Sequence, residues 1–174
     1  MASPLRYSDA LIAGILRRAR TIAMVGASPN WKRPSNFAMK YLQQKGYRVI
    51  PVNPRAASAG ASILGEKARS SLADVPAPVE MVDVFRGSEA ALEITREAIR
   101  LRAEKGFEVV WMQLGVRSDE AAAEAEAAGL TVIMNRCPKI EYGRIWGELG
   151  WGGLDRGVIS SRWPRPAKRD EGAG

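Results

Sequence analysis

The stretch MVGASPNWKRPSNFAMKYL, residues 24–42, sets a glycine and two small residues directly after an apolar run. Gly26 allows a sharp exit from that run and a close approach of backbone to a bound group. Ala27 and Ser28 are too small to block it, and the Ser28 hydroxyl can donate a hydrogen bond. Lys32 and Arg33 add two positive charges, and Ser35 stands where a helix begins. Free N–H groups and the positive dipole end at such a helix start favour an anion. The chemistry implied is recognition of a phosphate.

Four more short segments have the same character: Asn53-Pro54-Arg55, Phe85-Arg86-Gly87, Gln113-Leu114-Gly115 and Asn135-Arg136-Cys137. Each follows an apolar run, and ligands of open parallel sheets bind outside the carboxyl ends of the strands. A dinucleotide fingerprint would need glycine at positions 28 and 31, where Ser28 and Trp31 stand. An NAD site also wants a carboxylate closing the second strand, and here Asn53 closes it with Arg55 after it. A basic residue there suits a ligand with an additional ribose phosphate, as NADP or coenzyme A carries.

The elements that must hold these segments alternate between short apolar runs and helical patterns, the signature of a parallel sheet covered by helices. A helix is expected near residues 8–19, and strands over 21–25, 47–52, 79–85, 108–114 and 130–134. Ser35 reads as the N-cap of a helix running to about Gln44, with Phe37, Ala38, Tyr41 and Leu42 at helical spacing and Gly46 as its stop. Residues 55–72 read as loop with a brief strand at Ser62–Leu64. Ser88 reads as the cap of a long helix ending at Gly106, and Ser118 as the cap of an alanine-rich one. Pro51 and Pro54 have no N–H to donate, so pairing is expected to fail at that end of the second strand. The fold class is therefore α/β in three layers, a mostly parallel five-stranded sheet with helices on both faces.

Composition narrows the function. The chain has 174 residues, 46% hydrophobic and 26% charged, which suits one globular domain. No run approaches the roughly 18 apolar residues of a membrane span, and the first twenty residues read as an amphipathic helix, not a secretory signal. With a single Cys137 and so no internal disulfide, a cytoplasmic setting is expected. The absence of histidine removes Ser-His-Asp and Cys-His catalysis, histidine zinc sites and a phosphohistidine relay. Between Asp9 and Glu66 there is no acidic residue, while Arg17, Arg18, Arg20, Lys32, Arg33, Lys40, Lys45, Arg48 and Arg55 all fall there. This third of the chain is expected to face a polyanion. The later part is mixed in sign, which favours a local anion site over a broad nucleic-acid surface.

The quoted motifs VGAS, R-P-S, GYRVIPVNP, VDVFR, VWMQLGV and AGLTVIMNRC, in this order between Tyr7 and Trp146, resemble the small CoA-binding domain family. That family is similar to the N-terminal CoA-binding domain of succinyl-CoA synthetase alpha subunits. The resemblance implies a Rossmann-like domain over residues 1–146 with coenzyme A, or an acyl-CoA, across the strand ends. Gly26, Ala27 and Ser28 would meet the phosphates, with Arg33 and Ser35 at the helix start. Asn53, Pro54 and Arg55 would lie by the ribose phosphate and adenine, and Phe85 and Arg86 would border the nucleotide. Gln113, Gly115, Asn135 and Arg136 complete the candidate set from the remaining strand ends.

The resemblance carries no catalysis, because the phosphorylated histidine of the synthetases lies outside this domain and this chain has no histidine. A CoA-binding module without a reaction of its own leads, alone or with a partner protein or a second copy. An NADP-linked oxidoreductase and a nucleic-acid-binding protein stand as alternatives. Cys137 is flanked by Arg136 and Lys139, which would favour a thiolate. With no general base in view it reads first as a small half-buried thiol, and a mixed disulfide with CoA is the alternative use for it. Residues 147–174, rich in Gly, Pro and Arg, are expected to be irregular or partly disordered.

Overall fold

A computed structural model describes residues 5–147, so the expectation for the tail lies outside the described residues except at Gly147. The chain opens with α1 (Asp9–Arg18), whose first turn is capped by the Ser8 hydroxyl accepting the Leu11 N–H at 3.1 Å. There follow β1 (Thr21–Val25), α2 (Pro34–Gln44), β2 (Arg48–Val52) and the short α3 (Pro54–Ser58). A small antiparallel hairpin, β3 (Ser62–Ile63) and β4 (Glu66–Lys67), precedes β5 (Met81–Val84) and the long α4 (Ser88–Lys105). The chain continues with β6 (Val109–Met112), α5 (Asp119–Ala127), β7 (Thr131–Ile133) and α6 (Pro138–Ile145).

The main sheet has the order β2-β1-β5-β6-β7, and all its pairs are parallel. Because strands buried on both faces have no wet side, they read as continuous apolar runs such as IAM and VVWM. Alternate residues serve opposite cores. Ile22, Met24, Met81 and Trp111 pack with α1, α2 and α6, whereas Ala23, Val82, Val84 and Val110 pack with α4 and α5. The result is the expected Rossmann-like α/β fold in three layers. Winding reverses between β1 and β5, which makes their carboxyl ends the topological switch point.

Local chemistry departs from expectation at four places. Ser35 is not the cap of α2: Arg33 occupies that position and Pro34 the first helical turn, where its missing N–H costs nothing. Ser88 likewise lies inside α4, after Gly87; its hydroxyl accepts the Arg117 N–H at 3.0 Å and so ties the helix start to the loop after β6. Residues 54–58, expected as loop, form α3 because Pro54 presets the first turn and the Asn53 side chain accepts the Ala56 N–H at 3.0 Å. Pairing also persists at the end of β2, where Val25 and Val52 are in register. Pro51 belongs to the edge strand, and its carbonyl accepts the Arg69 N–H at 2.9 Å on the side away from β1. Its missing donor therefore faces outwards, where prolines of edge strands are tolerated.

Ser118 does cap α5, accepting the Ala121 N–H at 3.2 Å. Ser118→Ala is expected to lower stability by about 1 kcal/mol, read from urea denaturation.

Candidate functional site

Everything at the switch point starts from Gly26. Its N–H donates to the Val52 carbonyl at 3.0 Å, and the neighbouring Val25 carbonyl accepts the Phe85 N–H at 2.8 Å. The end of β1 is thereby held from both sides. Gly26 has φ of +92°, and a Cβ there would stand 2.5 Å from the Phe85 carbonyl oxygen. The close approach that the glycine permits is thus to the backbone after β5, before any ligand is considered.

The turn that follows is braced by its own side chains. The Ser28 N–H donates to the Ser35 hydroxyl at 3.1 Å, and the Ser28 carbonyl accepts from the Asn36 amide at 2.9 Å. The Ser28 hydroxyl accepts the Asn30 N–H at 3.1 Å, which leaves its own proton free to be donated. On the other side, the Asn53 amide donates to the Ala27 carbonyl at 2.8 Å while its oxygen caps α3. Asn53 and Ser35 therefore shape the turn, and one face of each is already committed.

These contacts border a groove of about 1030 Å³. Gly26, Ala27, Ser28, Arg33, Ser35, Asn53, Pro54, Arg55, Phe85 and Arg86 all line it. Its far wall comes from α4, with Ala90, Glu93, Ile94 and Glu97, and from Ser70 and Ser71 after the hairpin. Three guanidinium-bearing residues, Arg33, Arg55 and Arg86, line the same groove as Pro34 and Ser35 at the amino end of α2, whose dipole has the same sign.

A second cavity of about 570 Å³ opens from the same place, sharing Pro34, Phe85 and Arg86 with the groove. Phe37, Ala38, Leu114, Val116 and Ile140 make it mainly apolar, and Gln113, Cys137 and Lys139 are its remaining polar residues. Phe37, at helical spacing with the buried Ala38 and Leu42 in α2, is itself 51% exposed. Gly115, Asn135 and Arg136 line neither space. The Asn135 side chain accepts the Gly115 N–H at 2.8 Å, and Arg136 lies over the Tyr7 ring, so this trio braces the ends of β6 and β7.

The basic first third does not form one face. Arg48 pairs with Glu66 at 3.0 Å, Arg18 lies 3.9 Å from Glu108, and Lys45 lies over Tyr41 and Tyr142. Of the nine cations in that stretch only Arg33 and Arg55 line the groove. The lining residues absent from the candidate set include Ser70 and Ser71, in a segment read only as loop, Glu93 and Glu97, inside the long helix, and Lys139 and Ile140, beyond the last strand end. The i, i+4 spacing of Glu93 and Glu97 was the available sign that both lie on one face of α4.

Behind the apolar cavity, Asp83 stands fully buried between Met24 and Trp111 in the sheet register. One carboxyl oxygen accepts from the Gln113 amide at 2.9 Å, and the other has no partner among the described residues. Burial pushes its pKa up to about 7, against the opposing effect of the Gln113 bond. Cys137 is the half-buried thiol expected and not the thiolate that its basic neighbours would favour. Burial pushes its thiol up, more than the N–H groups of Ile140 and Lys139 and the Lys139 charge lower it, and Asp83 adds to the rise. At neutral pH Cys137 is a protonated thiol. Among the described residues no cluster of histidine, cysteine or carboxylate groups could hold a metal ion, and no helix is long and apolar enough to cross a membrane.

Two outcomes are expected from this geometry. Gly26→Ala should lower stability by roughly 2–4 kcal/mol, the sum of left-handed strain and a clash with backbone, measured by urea denaturation. Asp83 keeps a proton in the folded chain that the unfolded chain loses above its ordinary value of 3.8, and releases it near pH 7. Stability should therefore fall as pH rises between those values, by up to about 1.4 kcal/mol per unit. In Asp83→Asn that slope should be absent from denaturation curves taken at pH 4.5, 5.5 and 6.5.

The comparisons with known proteins agree with this architecture. YneT of Bacillus subtilis (strain 168) is 38% identical over 135 residues, which are 78% of this chain and 94% of that protein. A protein of Pyrococcus horikoshii OT3 is 38% identical with a TM-score of 0.73, covering 83% of this chain and 99% of that one. A dinucleotide-forming acetyl-coenzyme A synthetase of Ca. Korarchaeum cryptofilum shares the fold at 22% identity and a TM-score of 0.53, over 64% of this chain and 25% of its own. The profile of the CoA binding domain matches residues 20–143, most of the described chain, and this protein belongs to the CoA binding domain family.

Proposed function

We propose that this protein binds coenzyme A along the groove at the switch point, as a binding module that performs no reaction on it. The observation that carries the reading is the groove's make-up in a chain of this family: a small-residue turn, the amino end of α2, and Arg33, Arg55 and Arg86 on its wall. In this reading the free Ser28 proton and the amino end of α2 meet the pyrophosphate, and Arg33 and Arg86 neutralise it. Arg55, beyond the end of β2, meets the 3′-phosphate. Glu97 on the opposite wall repels phosphate and suits the amino edge of the adenine, which sets the direction of the nucleotide.

The pantetheine arm then passes Pro34, Phe85 and Arg86 into the apolar cavity, where the Gln113 carbonyl oxygen is available to accept an amide N–H. Carrying, buffering or sensing CoA, with any chemistry supplied by a partner protein, fits a chain without histidine. The same reading places it in the cytoplasm, where Cys137 stays reduced.

Isothermal titration against CoA, dephospho-CoA and NADP tests this. CoA should bind at micromolar to sub-millimolar concentration, and dephospho-CoA about tenfold more weakly, for loss of a charge-assisted contact. Arg55→Glu should remove that difference. No binding of CoA near millimolar concentration, or NADP binding as tightly as CoA, would rule the proposal out.

A further inference from the structure

The apolar cavity is more than the end of a CoA site needs. A pantetheine arm terminates in a thiol, a small group, and brings amides that look for hydrogen-bond partners. The wall offers few: the Gln113 amide nitrogen donates to Asp83 at 2.9 Å, which leaves its carbonyl oxygen, and Phe37, Ala38, Leu114, Val116 and Ile140 can form none through their side chains. Three of these stand open to water, Phe37 at 51%, Leu114 at 56% and Ile140 at 40% exposure. They come from α2, the loop after β6, and α6, so folding has gathered them from three distant places in the chain. Exposed apolar side chains converging on one cavity mark a surface that a ligand covers.

The position of the cavity says what that ligand brings. It joins the charged groove at Pro34, Phe85 and Arg86, so a molecule held by its phosphates extends its other end there. Among the described residues no carboxylate lines it.

We infer that the preferred ligand is an acyl-CoA with an unbranched aliphatic chain, whose phosphates lie in the groove and whose acyl group fills the cavity between Phe37, Leu114 and Ile140. This rests on the CoA reading above and adds the class of acyl group. The gain comes from removing apolar surface of chain and wall from water together. The Lys139 ammonium lies 5.6 Å from the centre of the Tyr41 ring, whose face attracts it away from the apolar side chains of the wall. Arg86, the other cation of the lining, stands where the cavity joins the groove, so the part between Phe37, Leu114 and Ile140 is bounded by hydrocarbon and suits methylenes better than a carboxylate.

Titration calorimetry with CoA, acetyl-, butyryl-, hexanoyl- and succinyl-CoA tests the inference. Affinity should rise along the neutral series by up to about fourfold per added methylene. Butyryl-CoA should bind more tightly than succinyl-CoA, which has the same number of acyl carbons. Leu114→Asp, an exposed position whose folding circular dichroism can check, should flatten the series. If CoA binds but the series is flat, or succinyl-CoA binds more tightly than butyryl-CoA, this inference falls and the CoA reading stands. If neither CoA nor any acyl-CoA binds, both fall.

Discussion

The contact on which the site depends is that between Gly26 and the carbonyl of Phe85. The two strands next to the switch point run parallel to their ends, and their following loops must then diverge within one residue. At Gly26 the backbone turns with φ of +92° while a Cβ would stand 2.5 Å from that carbonyl. An L side chain is excluded by strain and by space together. The turn at 26–28, the start of α2 and the loop carrying Phe85 and Arg86 all take their positions from this contact. A site assembled on sheet ends has rigid walls, because each wall begins at a hydrogen-bonded strand terminus.

From that corner two environments extend. One is polar and rich in guanidinium groups, with the dipole of α2 adding to their field. The other is apolar, with a protonated Cys137 and a carboxyl, Asp83, buried behind Gln113. Electrostatics separates them more sharply than shape does, since both open at Pro34, Phe85 and Arg86. Desolvation that raises the Asp83 and Cys137 pKa values is the same property that makes the second space hospitable to hydrocarbon. The proposed ligand, with one phosphate-bearing end and one apolar end, would match the pair.

Several side chains read as direct ligands have a bracing role first. Asn53 joins the Ala27 carbonyl to the first turn of α3, Ser35 holds the Ser28 N–H, and Asn135 secures Gly115. Their types were informative because short polar side chains suit such turns. Chemical type alone does not distinguish a residue that touches a ligand from one that shapes the turn beside it. That distinction depends on where the second hydrogen-bonding atom points.

The sequence by itself determined the layers, the five parallel strands and the segments at their carboxyl ends. Apolar runs buried on both faces have a local signature, and so do the glycines and small polar residues that end them. It also removed whole classes of chemistry through the absence of histidine. Only the tertiary structure decided that Arg48 meets Glu66, Arg18 lies near Glu108 and Lys45 lies over aromatic rings, while Arg33 and Arg55 line the groove. It alone brought Glu93 and Glu97 opposite them, and Phe37, Leu114 and Ile140 around one cavity. Those meetings span α2, α4, the loop after β6 and α6, and distances across a sheet leave no trace in local periodicity. Strand order and crossover direction set them, and these emerge only when the layers pack.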